Sequence, residues 1–215
     1  MTFSSIYQGY IVPGSTLIPI VAGFMGYRKL SKPLKALLLY LCLALLINIG
    51  GITLAHYRKN NLPLLHFYTM VELVAVMWYY KLAFNTKLTD RITTILMLAF
   101  PVLCVVNFSF FQSIYTFNTY TRPLEGIIII AFSGLYLARQ GNVDKKEHLN
   151  NSGRWVASGF LIYFVSSLFQ FIFSNVVSHI ASKQVKNIIW DIHATFVMIM
   201  YICFFLAIQY DRRKR

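Results

Sequence analysis

The stretch LLHFYTMVELVAVMWYYKLAF, Leu64 to Phe84, decides the fold. It meets the requirement of roughly 20 apolar residues for crossing bilayer hydrocarbon as a helix. Yet it carries Glu72 about eight residues inside, a depth of ~12 Å at 1.5 Å per residue. A short carboxylate cannot reach the interface from there by snorkelling. It must be protonated, or answered by a cation on a neighbouring helix or in a bound ligand. On a helix Glu72 shares a face with Tyr68 and Thr69 on one side and Val76 and Tyr79 on the other, while His66 lies on a different face.

The rest of the chain fits the same reading. Of its residues 57% are hydrophobic and only 13% are charged, about half the charged share of a soluble domain. Six more apolar runs accompany the first, giving approximate spans 6–27, 34–56, 64–84, 92–111, 117–137, 155–177 and 188–209. The expected fold is therefore all-α, a single polytopic membrane domain in which seven helices joined by short connections pack as antiparallel neighbours. No basic n-region precedes the first span, which is expected to serve as an uncleaved anchor.

A net charge of +13 would point to nucleic acid in a soluble protein. Here the basic residues sit between apolar runs and act as topology signals, so no nucleic-acid partner is expected. One side holds Arg28, Lys29, Lys32, Lys35, Lys81, Lys87, Arg91, Arg139, Lys145, Lys146, Arg154, Arg212, Arg213, Lys214 and Arg215; the other holds Arg58, Lys59, Arg122, Lys183 and Lys186. Fifteen against five places the C-terminus in the cytoplasm and the N-terminus outside. Tyr and Trp near the span ends suit an aromatic belt against membrane lipids. The longest inner connection, 138–153, is polar and mixed in charge, and Asn150 to Gly153 read as a turn and helix start.

The intramembrane polar residues gather in the outer half of this topology. They include His66 and Glu72 in the third span, Asn118, Arg122 and Glu125 opening the fifth, Gln170 and Asn175 in the sixth, and Asp191 and His193 in the seventh. Asn118, Arg122 and Glu125 form one stripe if the fifth helix starts before them. If instead Pro123 occupies the first helical position, Glu125 is a cap at the third, where the helix dipole favours a carboxylate. Trp190 and His193 share a face; Asp191 points elsewhere. At an offset of 123 residues Leu38, Leu39, Tyr40, Leu45, Ile49 and His56 fall on Leu161, Ile162, Tyr163, Leu168, Ile172 and His179, which suggests two three-helix repeats about a central fourth helix.

Several chemistries are excluded. No span carries a lysine at its middle for a retinal Schiff base, and the chain lacks HExxH, GxSxG and P-loop motifs. Cys42, Cys104 and Cys203 lie in apolar runs without metal-site spacing and read as packing residues.

The motifs HFYTMVE (66–72), FNTYTRPLE (117–125), GRWVASGFLIYF (153–164) and WDIHA (190–194) resemble those of a group of small bacterial seven-helix integral membrane proteins. The resemblance covers most of the chain and implies architecture and a bacterial inner-membrane location, without an activity. A second comparison is with the seven-helix hydrolases that include alkaline ceramidases and adiponectin-type receptors, which hold zinc partly through a late HxxxH pair. Here Val197 stands four residues after His193, a departure from that pattern.

Three functions remain open. In the first, Glu72, Arg122, Glu125, His193, Tyr68 and Asn118 line an outward-facing cavity for a small polar ligand, with Arg122 clamping a carboxylate or phosphate and a membrane or cytoplasmic signalling partner receiving the signal. In the second, His66, His193 and Glu72 hold a metal such as zinc for lipid hydrolysis, with Glu125 or Asp191 as general base. In the third, Glu72 serves a proton-coupled secondary transporter.

Overall fold

Among the described residues, seven helical segments follow one another, and six are long and apolar enough to cross a membrane. The computed structural model describes residues 3–141 and 151–214. In chain order the segments are α1 (residues 3–25), α2 (Lys32–His56), α3 (Leu62–Phe84), α4 (Lys87–Phe110), α5 (Thr121–Gly141), α6 (Asn151–Ile180) and α7 (Lys183–Lys214). The protein is an all-α, multi-pass membrane bundle.

The first segment departs from the expected uninterrupted span. It is helical but broken into Phe3–Ile6, a π turn Tyr7–Ile11, Val12–Ser15 and Leu17–Met25. Pro13 and Pro19 explain the breaks, because each lacks an N–H and its ring crowds the preceding turn. The π turn absorbs the first of them, with the Val12 N–H bonding the Tyr7 carbonyl. Side chains then hold the weakened segment on α7: Ser4 and Gln8 each donate to Asp191 Oδ1 at 2.8 Å, and Tyr7 pairs with Thr195 at 2.9 Å.

Successive helices pack side by side with one exception, since α4 and α5 scarcely touch. The expectation of neighbours throughout is corrected there. Instead α5 lies against α3, and α4 covers the outside of α3 with little of itself buried. Only 22% of its apolar window is enclosed, against 50% of that of α6. The ring closes where α7 meets α1. Helices α6 and α7 approach closely at Gly159, where a Cβ would stand 2.9 Å from the Cβ of Cys203 and 3.3 Å from the Met200 carbonyl oxygen. Small residues at such crossings let helix backbones come together, which in lipid replaces the hydrophobic drive.

The ends of the helices are set by local chemistry. Asn85 closes α3 in the left-handed conformation that Asn tolerates. The Thr86 hydroxyl caps α4 by accepting from the Thr89 N–H at 3.3 Å. Beyond α5, Asp144, Lys145, Lys146, Glu147, His148 and Asn150 of the expected inner connection lie outside the described residues. Helix α6 starts at Asn151, within the expected turn and helix start.

Candidate functional site

Glu72 lies ten residues into α3, about 15 Å along its axis, and is 2% exposed. Its Oε1 accepts from the Tyr40 hydroxyl of α2 at 2.9 Å and from the Tyr68 hydroxyl one turn away at 3.1 Å. Its Oε2 receives a close hydrogen bond from Arg122 Nη1 of α5. That same nitrogen donates to Glu125 Oε2 at 2.7 Å, while Nη2 donates to the Tyr163 hydroxyl of α6 at 3.2 Å. The guanidinium lies over the Phe171 ring, 4.7 Å from its centroid. Four helices thus meet at one buried network.

The network holds two carboxylates and one guanidinium. Glu125 is fully buried, and its Oε1 has no hydrogen-bond partner among the described residues. Buried charge is tolerated when it is paired. The extra carboxylate therefore calls for a proton or a second cation.

Above the network lies a cavity of about 260 Å³, just below the ~300–1,000 Å³ of sites for drug-sized ligands. Its walls include Tyr40 and Asn48 of α2, Tyr68, Thr69 and Glu72 of α3, Arg122 of α5, Tyr163 and Gln170 of α6, and Trp190, His193 and Tyr201 of α7. It occupies the half of the bundle that carries the connections 57–61, 111–120 and 181–182.

The segment 111–120 closes this half and is held by side chains. Asn175 of α6 donates to the Phe117 carbonyl at 3.0 Å and accepts from its N–H at 2.9 Å. Gln112 donates to the same carbonyl at 3.0 Å, and Asn60 donates to the Tyr115 carbonyl at 3.2 Å. Phe117 packs against Trp190, with ring centroids 5.7 Å apart, and both face the cavity.

Tyr68, Glu72, Asn118, Arg122 and His193 all line the cavity, whereas Glu125 lies outside its wall, bonded to Arg122. Asn118 is not part of a helical stripe. Its Oδ1 accepts from the Thr121 N–H at 3.0 Å, the Thr121 hydroxyl at 2.8 Å and the Arg122 N–H at 3.3 Å, so it caps α5. This cap starts the helix at Thr121 and places Pro123 third, still within the first turn where its missing N–H costs nothing. Glu125 then falls beyond the first turn and pairs with Arg122 instead of serving as a cap.

The metal candidates do not converge. His66 Nε2 pairs with the Thr116 carbonyl at 2.9 Å and is absent from the cavity wall. His193 Nδ1 pairs with the Ser167 hydroxyl at 2.9 Å. Asp191 faces Ser4 and Gln8 of α1. Among the described residues, no group of three or more His, Cys, Asp and Glu side chains is placed to share an ion.

Two site residues escape the reading of single helices, Tyr40 and Tyr163, which bond Glu72 and Arg122 respectively. The signal that pairs them is the 123-residue offset, under which Tyr40 falls on Tyr163. No protein-family model, curated protein or solved structure matches the chain.

Proposed function

We propose that this multi-pass membrane protein binds a small ligand in the cavity above Glu72 and Arg122, and that occupancy is relayed to a membrane or cytoplasmic partner. One observation carries this reading: a cavity of about 260 Å³ opens onto a buried network of two carboxylates and one guanidinium. The second carboxylate is answered by a proton or by a cation, and the cavity gives a ligand access to the network. Binding can bias the bundle because the network joins α2, α3, α5 and α6, so a ligand that prefers one arrangement shifts all four.

The distribution of Lys and Arg supports an orientation with the cavity half outside and the C-terminus in the cytoplasm. A bacterial inner membrane, as in the group it resembles, suits this arrangement. Tyr115 lies exposed in the 111–120 segment, and Arg213 is exposed near the opposite end. With the native cysteines replaced, Tyr115→Cys should react with a membrane-impermeant maleimide on intact cells and Arg213→Cys should not. The reverse pattern refutes the orientation.

Ligand binding is tested by native mass spectrometry of the protein released from lipid nanodiscs. A bound non-lipid molecule is expected in the wild type and should be lost in Val197→Phe, which fills the cavity, and in Glu72→Ala. Equal retention in both variants would sink the reading. A second reading, proton-coupled transport, draws on the same second carboxylate, which a proton can neutralise as well as a ligand can.

A further inference from the structure

The network and the walls of the cavity also define the chemistry of the occupant, an inference that rests on the ligand-binding reading above. We infer that the ligand is a small organic cation, an ammonium on a largely apolar body bearing an oxygen acceptor, with Glu72 as its counter-ion.

The first argument is charge. Among the described residues, Glu72 and Arg122 are the only Asp, Glu, Lys or Arg residues lining the cavity. Arg122 Nη1 is shared between Glu72 and Glu125, and Nη2 is bonded to Tyr163. The guanidinium is thus neutralised within the protein, so the expected clamping of a carboxylate or phosphate by Arg122 does not fit. An incoming anion would meet a guanidinium already facing two carboxylates. An incoming ammonium meets Glu72 in the cavity wall, and the second carboxylate, Glu125, stands behind Arg122 to share the added positive charge. In a low-dielectric site this pairing is stronger than in water.

The second argument is an unpartnered donor. Gln170 lines the cavity at 8% exposure, and its Nε2 has no hydrogen-bond partner among the described residues. A buried N–H group left without an acceptor is costly. A ligand oxygen satisfies it.

The third is the wall. Tyr68, Phe117, Trp190 and Tyr201 border the cavity. Aromatic rings suit both an apolar body and a cation over a ring face.

The test compares three probes of nearly equal size against the wild-type protein in nanodiscs at neutral pH, by isothermal titration. They are 4-methoxybenzylamine, a cation under these conditions; 4-methoxybenzyl alcohol, which is neutral; and 4-methoxybenzoate, an anion. The amine should bind about 10- to 100-fold more tightly than the alcohol, the range expected for a hydrogen bond to a charged group, and the benzoate should not bind measurably. Glu72→Gln should remove the preference of amine over alcohol. Because that variant also disturbs a buried ion pair, Gln170→Leu provides a second test: it should weaken the amine while leaving the amine preferred.

Tighter or equal binding of the alcohol or the benzoate in the wild type overturns the cation inference and leaves the cavity as a ligand site. A preference that survives in folded Glu72→Gln overturns the role of Glu72. Failure of all three probes to bind overturns the inference and the ligand-binding reading together.

Discussion

The two halves of the bundle are built on different principles. In the half beside the 57–61, 111–120 and 181–182 connections, helices are joined by directional bonds: Tyr40 and Tyr68 to Glu72, Arg122 to Glu72, Glu125 and Tyr163, and Asn175 to Phe117. In the other half they are joined by packed rings. Phe160 is fully buried, with its ring centroid 4.9 Å from that of Phe204, 5.6 Å from that of Tyr40 and 6.2 Å from that of Tyr80. The hydrogen bond that joins α3 to α5 there, between Tyr80 and Ser133 at 2.6 Å, is between uncharged hydroxyls. Close packing leaves little room for a ligand. A charged network, by contrast, sets its partners at hydrogen-bond distance, and here a cavity lies above it.

The largest effect that tests this contrast is expected at Arg122. Arg122→Ala leaves Glu72 and Glu125 buried without a cation and should cost ~3–5 kcal/mol, read as a large fall in the unfolding midpoint in detergent. Combining Glu72→Leu, Arg122→Met and Glu125→Leu should restore most of that stability, since apolar groups can replace a buried ion network, while abolishing ligand retention. Restored stability with ligand still bound would break the proposed division between the halves.

Phe160→Ala is the matching change in the aromatic half. It should cost about 3 kcal/mol through the cavity it leaves and leave ligand binding nearly unchanged. A strong loss of binding in folded Phe160→Ala would show that the halves are coupled through Tyr40.

The smallest and sharpest comparison uses two buried tyrosines. Tyr40→Phe removes a hydrogen bond to the Glu72 carboxylate and should cost ~2 kcal/mol. The Tyr79 hydroxyl has no partner among the described residues, so Tyr79→Phe should be neutral or slightly stabilising by the same unfolding measurement.

How much of this was legible depended on whether the signal was local. Glu72 announced itself because a carboxylate inside an apolar run has few explanations. The pairing of Arg122 with Glu125 was legible as an i, i+3 spacing and is observed at 2.7 Å. Asn118 was harder: it read as part of a stripe with Arg122 and Glu125, and Glu125 as the alternative cap, whereas Asn118 itself accepts from Thr121 and Arg122 at the start of the helix. His66 looked as promising as His193, yet it turns to the Thr116 carbonyl, a backbone group that no side-chain pattern reveals. The irregular α1 had its cause in plain view at Pro13 and Pro19, but hydropathy averages over such residues. Asp144, Lys145 and Lys146 lie outside the described residues.

By itself the sequence determined that the chain is helical and membrane-embedded, because the length and polarity of an apolar run fix its cost in water and its span in lipid regardless of its neighbours. It also determined that Glu72 must be protonated or meet an answering charge. Only the tertiary structure decided which charge that is, that Glu125 stands behind it, that Tyr40 and Tyr163 complete the network, and that a cavity remains above. Those outcomes depend on how each helix is rotated about its axis. Rotation is set by packing against neighbours, as at Gly159 and Phe160, and hydropathy is blind to it.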